Sequence, residues 1–304
     1  MNTISRGSLL GIENLDPGQI VALLRSAKRM NPARPSNLLR GRRVVLLFYE
    51  PSTRTRVSFE FAAKALGTTT TLVSATASSI EKGESLIDTG LTLRALGADV
   101  IVVRHPSSGA PDVLARTLDC PILNAGDGMH EHPSQALLDA FTILEHKKSL
   151  KGLRVTIVGD VFHSRVARSD IHLLTKFGAK VTLCGPPELT PPVAHEVWPT
   201  VEVTSDLQQA LKDAEVVILL RIQKERLKGL ELDPREYAER WQLNRQTVKM
   251  ARKDAIIMHP GPIIRGMEIT DEVADGMQSV ITTQIANGVR IRMAILASCL
   301  GGRR

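Results

Sequence analysis

The chain has 304 residues, 43% of them hydrophobic, and 39 Lys and Arg against 32 Asp and Glu give it a formal net charge of +7. That length suits two ordinary domains, each with a real core. Its longest apolar run, Val44 to Tyr49, is far below the roughly 18 residues that a membrane-spanning helix needs, and no basic-then-apolar leader opens the chain, so a cytoplasmic protein is expected.

The positive balance calls for an anionic partner. Aromatic residues make up only 3% of the chain and the arginines are scattered among Gly, Pro, His and Ser. Few stacking platforms and no basic helix argue against nucleic acid and for a small anion. The three cysteines, Cys120, Cys184 and Cys299, lie far apart without Cys-x-x-Cys spacing, which suggests neither a disulfide framework nor a structural zinc.

Short Val/Ile/Leu-rich runs alternate with helix-length segments, the pattern of parallel strands joined by crossover helices, so an α/β fold with two mostly parallel sheets is expected. In the first half, strands are predicted near Val44–Tyr49, Thr70–Val73, Val100–Val103 and Pro121–Leu123, with helices over Thr53–Leu66, Ser85–Leu96 and Gly109–Thr117. A helical run follows from Ser134 to Leu144, and the polar stretch Glu145–Gly152 precedes a fresh strand. The domain junction is therefore placed between about Gln135 and Gly152, dividing the chain into residues 1–140, rejoined by a C-terminal helix over 286–304, and 141–285. Second-half strands are predicted near Val155–Val158, Lys180–Leu183, Val216–Leu220 and Ala255–Met258, and the Pro-rich Gly185–Pro192 reads as a loop. Apolar residues at helical spacing over Ile285–Leu300, ending in Gly301-Gly302, predict a closing helix.

Polar residues gather where strands end. The run Ser52-Thr53-Arg54-Thr55-Arg56 lies between a buried strand and a helical pattern, where unpaired N–H groups and the positive end of the helix dipole suit an anion. Its hydroxyls add donors and Arg54 adds a planar fork for two phosphate oxygens. The competing reading is a helix cap followed by solvated arginines. It is not a Walker loop, because the Gly-rich run and the Gly-Lys-Ser/Thr ending are missing. Arg104-His105-Pro106 follows the third strand, and Asn124–Gly128 and Glu131-His132-Pro133-Ser134-Gln135 follow the fourth. Arg104 and His132 are donors for an oxyanion, and Gln135 both donates and accepts.

The stretch Phe48–Glu60, with Ser-Thr-Arg-Thr-Arg at its centre, resembles the carbamoyl phosphate signature of the aspartate and ornithine carbamoyltransferases, and the later segments fit the same pattern. The resemblance implies that Ser52, Thr53, Arg54 and Thr55 grip phosphate, that Arg104 and His132 contact the carbamoyl oxygen or phosphate, and that Gln135 holds the carbamoyl amide. Arg54, Thr55, Arg104 and His132 would be the catalytic set. The polar loop Ser78–Ser85 resembles one that contributes Ser78 and Lys82 to a neighbouring subunit's site. A homotrimer with shared active sites is therefore implied, and larger assemblies with regulatory chains or dihydroorotase are admitted.

In the second half, Gly159–Arg165 joins a strand to a helix without the dinucleotide pattern Gly-x-Gly-x-x-Gly. The family aligns Arg165 with an aspartate-binding arginine, Arg168 being close enough to compete, and assigns Arg221 and Gln223 to aspartate; two arginines suit two carboxylates. The turn His259-Pro260-Gly261-Pro262 is made rigid by its prolines, and the resemblance implies that the carbonyls of Pro260 and Gly261 receive a substrate amino group. Many relatives carry Asn where this chain has Ile264. Ornithine carbamoyltransferases usually read His-Cys-Leu-Pro at the last turn and His-Pro-Cys-Gln at His132–Gln135, so aspartate is the expected acceptor. The implied reaction moves a carbamoyl group from carbamoyl phosphate to the α-amine of aspartate, for pyrimidine synthesis, with no metal or cofactor. A non-catalytic anion-binding relative is the alternative of another class.

Overall fold

The computed structural model describes residues 7–74, 83–222 and 232–301. The chain divides into two compact units, Met1–Phe141 with Ala286–Arg304, and Thr142–Ile285. None of the described helices is long and apolar enough to cross a membrane.

The first unit opens with α1, Pro17–Arg29, whose start is set by a capping box: Asp16 accepts from the Gln19 N–H at 2.9 Å while the Gln19 side chain accepts from the Asp16 N–H at 3.1 Å. Four parallel strands follow, β1 (Arg43–Phe48), β2 (Thr69–Ser74), β3 (Val100–His105) and β4 (Ile122–Asp127), in the spatial order β2-β1-β3-β4. Helices α2 (Thr53–Ala65), α3 (Leu86–Ala95) and α4 (Ala110–Thr117) are the crossovers. The runs over β1 and β3 are continuously apolar because both faces are covered: Val45, Leu47, Ile101, Val103 and Ile122 join Leu114 and Leu118 in one buried cluster, and Val44, Leu46, Val100 and Val102 are buried on the opposite face. Fully burying each such side chain contributes roughly 1.5–3 kcal/mol.

The chain leaves this unit within α5, Pro133–His146, and returns within α11, Ile281–Leu300. Five parallel strands make the second sheet: β5 (Arg154–Val158), β6 (Lys180–Cys184), β7 (Val201–Thr204), β8 (Val216–Leu219) and β9 (Ile256–Met258), ordered β7-β6-β5-β8-β9. Helix α6 (Arg165–Lys176) links β5 to β6, and the shorter α7 (Ala194–Val197), α8 (Leu207–Leu211), α9 (Pro234–Trp241) and α10 (Asp271–Ala274) fill the remaining connections. Burial pushes the thiol of Cys184, at the end of β6, up to about 12.

Observed strands depart from the expected ones by a residue or two, except that β4 runs four residues beyond its expected end, so that Asn124–Asp127, expected to follow the strand, lie within it. Tyr49 lies beyond β1, though its N–H still reaches the Arg104 carbonyl at 2.9 Å, and Leu220 lies beyond β8 with its N–H on the Val158 carbonyl at 2.8 Å. Strand β7 and helix α1 were not predicted, and the second-half helices were expected between several strands without bounds. Val201–Thr204 has four residues at a sheet edge, and Glu202 is exposed, so its apolar signal is weak.

Strand order locates the ligand sites. In the first sheet the chain steps from β1 outward to β2 and then returns to β3 on the other side. In the second it runs β5, β6, β7 and then crosses back to β8. Each sheet therefore has a switch point, between β1 and β3 and between β5 and β8, where the carboxyl ends of neighbouring strands open a crevice.

Candidate active site

In the first unit, the switch point presents Ser52–Arg56 beyond β1 and Arg104 near the end of β3, Phe48 pairing directly with Arg104. Ser52 occupies the N-cap position of α2, but its hydroxyl makes no capping bond and the first turn carries no acidic residue. Capping hydroxyls or carboxylates do engage at α3, α6, α8 and α9. The Ser52 hydroxyl is thus not engaged as a side-chain cap, as Thr270 at the start of α10 is not either. The positive end of α2 is instead reinforced by Arg54, exposed beside it. Arg56 belongs to the helix surface, 3.7 Å from Glu60 one turn on.

Thr55 is buried, and its Oγ1 lies 3.4 Å from Nε2 of His132, which precedes α5 after β4. Arg104 is aimed from both ends: Nη1 donates to the Ala125 carbonyl at 3.3 Å and Nε lies 3.4 Å from Glu50 Oε2. Gln135 is oriented by Asp139, one helical turn further, whose two oxygens accept its Nε2 at 3.1 and 3.3 Å. A carboxylate only accepts, so the amide nitrogen faces Asp139 and the amide oxygen of Gln135 is turned to the other side.

The loop that carries His132 is built on Asp127, a fully buried carboxylate. It accepts the Gly109 N–H at 2.7 Å, Asn124 Nδ2 at 2.8 Å and the Glu131 N–H at 3.1 Å, and lies 3.0 Å from His130 Nδ1. Burial alone would raise its pKa; the donors from His130, Gly109 and Asn124 outweigh that and hold it below the ordinary carboxylate range. Glu131 in turn accepts the N–H groups of Ile12 and Glu13 at 2.7 and 3.0 Å.

Arg292 on α11 is buried, with its guanidinium 5.0 Å above the Phe59 ring and Nη2 3.4 Å from Ser134 Oγ. Burial lowers its pKa to about 10 against the opposing pull of Asp139. The closing helix thereby ties α2 and α5 together behind the cradle.

In the second unit, the switch point lies between the loop Gly159–Ser164 after β5 and Arg221 just past β8. Asp160 Oδ1 accepts the His163 N–H at 3.1 Å and lies 2.9 Å from its Nδ1, and Ser164 caps α6 through the Ala167 N–H at 3.1 Å. Arg165, the first residue of α6, is buried there. Arg168 Nη1 donates to the Phe162 carbonyl at 3.0 Å and so braces the loop.

The His259 turn follows β9. His259 is buried, its N–H donates to Gln284 Oε1 at 2.9 Å, its Nδ1 accepts the Gly261 N–H at 2.8 Å, and its Nε2 lies 3.1 Å from Glu268 Oε1. Ile264 does not open this turn: its N–H donates to the same Glu268 oxygen at 2.6 Å, and with Ile263 it packs against the second unit's core.

The first unit thus gathers Ser52, Thr53, Arg54, Thr55, Arg104, His132 and Gln135 on adjacent strand and helix ends, and the second places Arg165 and Arg221 at its own switch point with Pro260 and Gly261 on the turn after β9. Ser78, Lys82 and Gln223 lie outside the described residues. Sequence reasoning missed the carboxylates behind these groups, Asp127, Asp139, Asp160 and Glu268. Only the i,i+4 spacing of Gln135 and Asp139 gave a local signal.

Residues 8–145 match the family described as aspartate/ornithine carbamoyltransferase, carbamoyl-P binding domain, and residues 151–299 match aspartate/ornithine carbamoyltransferase, Asp/Orn binding domain. The aspartate carbamoyltransferase catalytic subunit of Koribacter versatilis (strain Ellin345) is 62% identical, over 96% of this chain and 97% of its own. That of Solibacter usitatus (strain Ellin6076) is 51% identical, over 96% and 99%. Among solved structures, the ornithine carbamoyltransferase of Pyrococcus furiosus matches with a TM-score of 0.89 at 31% identity, over 98% of each chain. The aspartate transcarbamoylase of Trypanosoma cruzi in complex with N-(phosphonacetyl)-L-aspartic acid matches at 0.84 and 31%, over 96% and 95%. With both halves matched along nearly their whole length and the polar groups standing at the two switch points, the chain belongs to the aspartate/ornithine carbamoyltransferase family.

Proposed function

We propose that this chain is a catalytic subunit that transfers the carbamoyl group of carbamoyl phosphate to the α-amine of L-aspartate, giving N-carbamoyl-L-aspartate and phosphate in de novo pyrimidine synthesis. The observation that carries the reading is the uncapped, positively charged start of α2 beside Arg104 and His132 in the first unit, matched by arginines at the second unit's switch point. Ser52, Thr53, Arg54 and Thr55 bind the phosphate, and the oriented Gln135 oxygen accepts from the carbamoyl amide. As the amine attacks the carbonyl carbon, Thr55, Arg104 and His132 stabilise the tetrahedral oxyanion, each preorganised donor being worth on the order of 10² to 10³ in turnover. Phosphate then departs and takes up the amine proton. Positioning the two reactants lowers the barrier by roughly 7–11 kcal/mol.

Arg165 and Arg221, with Gln223, bind the two carboxylates of aspartate; the commitment of Arg168 to the Phe162 carbonyl favours Arg165 over it. The carbonyls of Pro260 and Gly261 receive the amine. A cytoplasmic homotrimer in which a neighbour supplies Ser78 and Lys82 completes the proposal. Exposed Phe61 on α2 and Leu72 on the edge strand β2, 58% and 44% accessible, support a partner chain on that side of the first unit. The solved relatives from Trypanosoma cruzi, one of them in complex with carbamoyl phosphate and aspartate, are consistent with this substrate pair.

The test is a product assay with both acceptors. Carbamoyl-aspartate is the expected product, and carbamoyl-ornithine in its absence overturns the assignment. Ornithine is the one rival with an observation behind it, the high structural similarity to the Pyrococcus furiosus enzyme.

A further inference from the structure

We infer that Glu268 is a positioning residue for the acceptor amine, acting through His259 on the direction of the Pro260 carbonyl. The inference rests on the reading that this carbonyl receives the amine. Its basis is a short chain of hydrogen bonds, each of which leaves one choice for the next. Glu268 is fully buried, and its backbone carbonyl is held by the Leu243 N–H at 3.0 Å. Its Oε1 stands 3.1 Å from His259 Nε2 and accepts the Ile264 N–H at 2.6 Å.

On the other side of the ring, Nδ1 accepts the Gly261 N–H at 2.8 Å. An imidazole nitrogen that accepts carries no proton, so the proton of the neutral ring is on Nε2, and Glu268 is the acceptor that keeps it there. The cis peptide in this turn is Gly261–Pro262; the preceding Pro260–Gly261 bond is trans, and in a trans peptide C=O and N–H point in opposite directions. With the Gly261 N–H held on the buried ring, the Pro260 carbonyl is turned away from it. By the same rule, holding the Ile264 N–H on Glu268 turns the Ile263 carbonyl outward. One carboxylate oxygen therefore fixes both ends of a six-residue turn.

Without that acceptor, the ring gains nothing by keeping its proton on Nε2. The tautomer with the proton on Nδ1 would oppose the Gly261 N–H, and the Pro260–Gly261 peptide would lose its orientation. Gln at 268 retains an oxygen that can accept both N–H groups, whereas Leu fills similar space and accepts neither.

The experiment compares Glu268→Gln and Glu268→Leu in the full chain, with the acceptor that the wild-type enzyme uses. Glu268→Leu is expected to raise the acceptor KM by about tenfold or more while the carbamoyl phosphate KM changes by less than about twofold, and Glu268→Gln to stay within about threefold of wild type in both. Equal effects on the two KM values, an effect on kcat alone, or no effect of Glu268→Leu would overturn the inference. Should wild type carbamoylate ornithine and not aspartate, the function reading fails, and the same comparison run on the ornithine KM still judges Glu268. Nitrogen chemical shifts of His259, assigned by their loss in His259→Gln, give a second readout that does not depend on turnover or on a folded Leu variant. Protonated Nε2 and bare Nδ1 are expected in wild type and in Glu268→Gln; a proton on Nδ1 in wild type would overturn the inference.

Discussion

In both units a buried carboxylate holds a loop that carries a histidine, but the two are loaded differently. Asp127 gathers donors from three places, the Gly109 N–H after β3, the Asn124 side chain within β4, and His130 with the Glu131 N–H in the loop beyond it. Glu268 holds its turn with one oxygen, and both donors lie within nine residues of it. The loop before His132 is thus fixed by contacts that span two strand ends, and the His259 turn by side-chain bonds to Glu268 within nine residues, anchored at longer range by Gln284 and the Leu243 N–H.

The comparison is broken most directly at the cradle. Arg54→Ala should leave the circular dichroism of the protein unchanged and lower turnover at least about a hundredfold, the scale of removing one preorganised donor; near-normal kcat would show that α2 does not hold the reacting anion. Next comes the hub. Asp127→Ala strands several buried donors at once and should cost about 3 kcal/mol of stability in urea denaturation, a loss under about 1 kcal/mol meaning that the loop is held elsewhere.

The smallest effect is one of pH. The Asp127 hydrogen bond raises the His130 pKa above 6.5, against the opposing effect of burial, and Glu131 and Asp112 add to the rise. A pKa raised on folding contributes stability in full below the unfolded value and loses it as pH rises through the folded value. Asp127, depressed below 3.8, sets the acid limit, its contribution fading as pH falls through its folded value. His130→Ala should therefore destabilise at about pH 5.5 and have little effect at about pH 9, by less than about 1 kcal/mol because the ring is 40% exposed. Equal destabilisation at the two pH values would remove His130 from the hub's charge balance.

Much of this architecture was legible because buried parallel strands read as unbroken apolar runs and their polar ends stand out against them. Val44–Tyr49 followed by Ser52–Arg56 and Val100–Val103 followed by Arg104 are such cases. Short edge strands blur that contrast, as at Val201–Thr204. Helix α1 carried its signal openly in Asp16-Pro17-Gly18-Gln19, a cap with Pro at the first helical position and Gln three residues on, which hydrophobic periodicity alone does not weigh. The carboxylates were invisible for another reason. Asp127 and Glu268 matter through backbone N–H groups brought to them by folding, and no residue type marks a backbone donor. Ile264 illustrates the same limit from the other side: what matters there is an N–H that any residue except proline would supply.

The first unit is finished by the last described helix. Strands β1–β4 and the start of α2 are made early, yet Arg292, which lies over Phe59 and reaches Ser134, comes from α11 near the other end of the chain. On the ribosome the order of completion is therefore inverted. The second unit, continuous in sequence, has all its residues before the first does, and Phe59 is made long before the Arg292 that packs over it. A chain that stops short of α11 therefore lacks the side chain that lies over Phe59 on α2 and reaches Ser134 on α5.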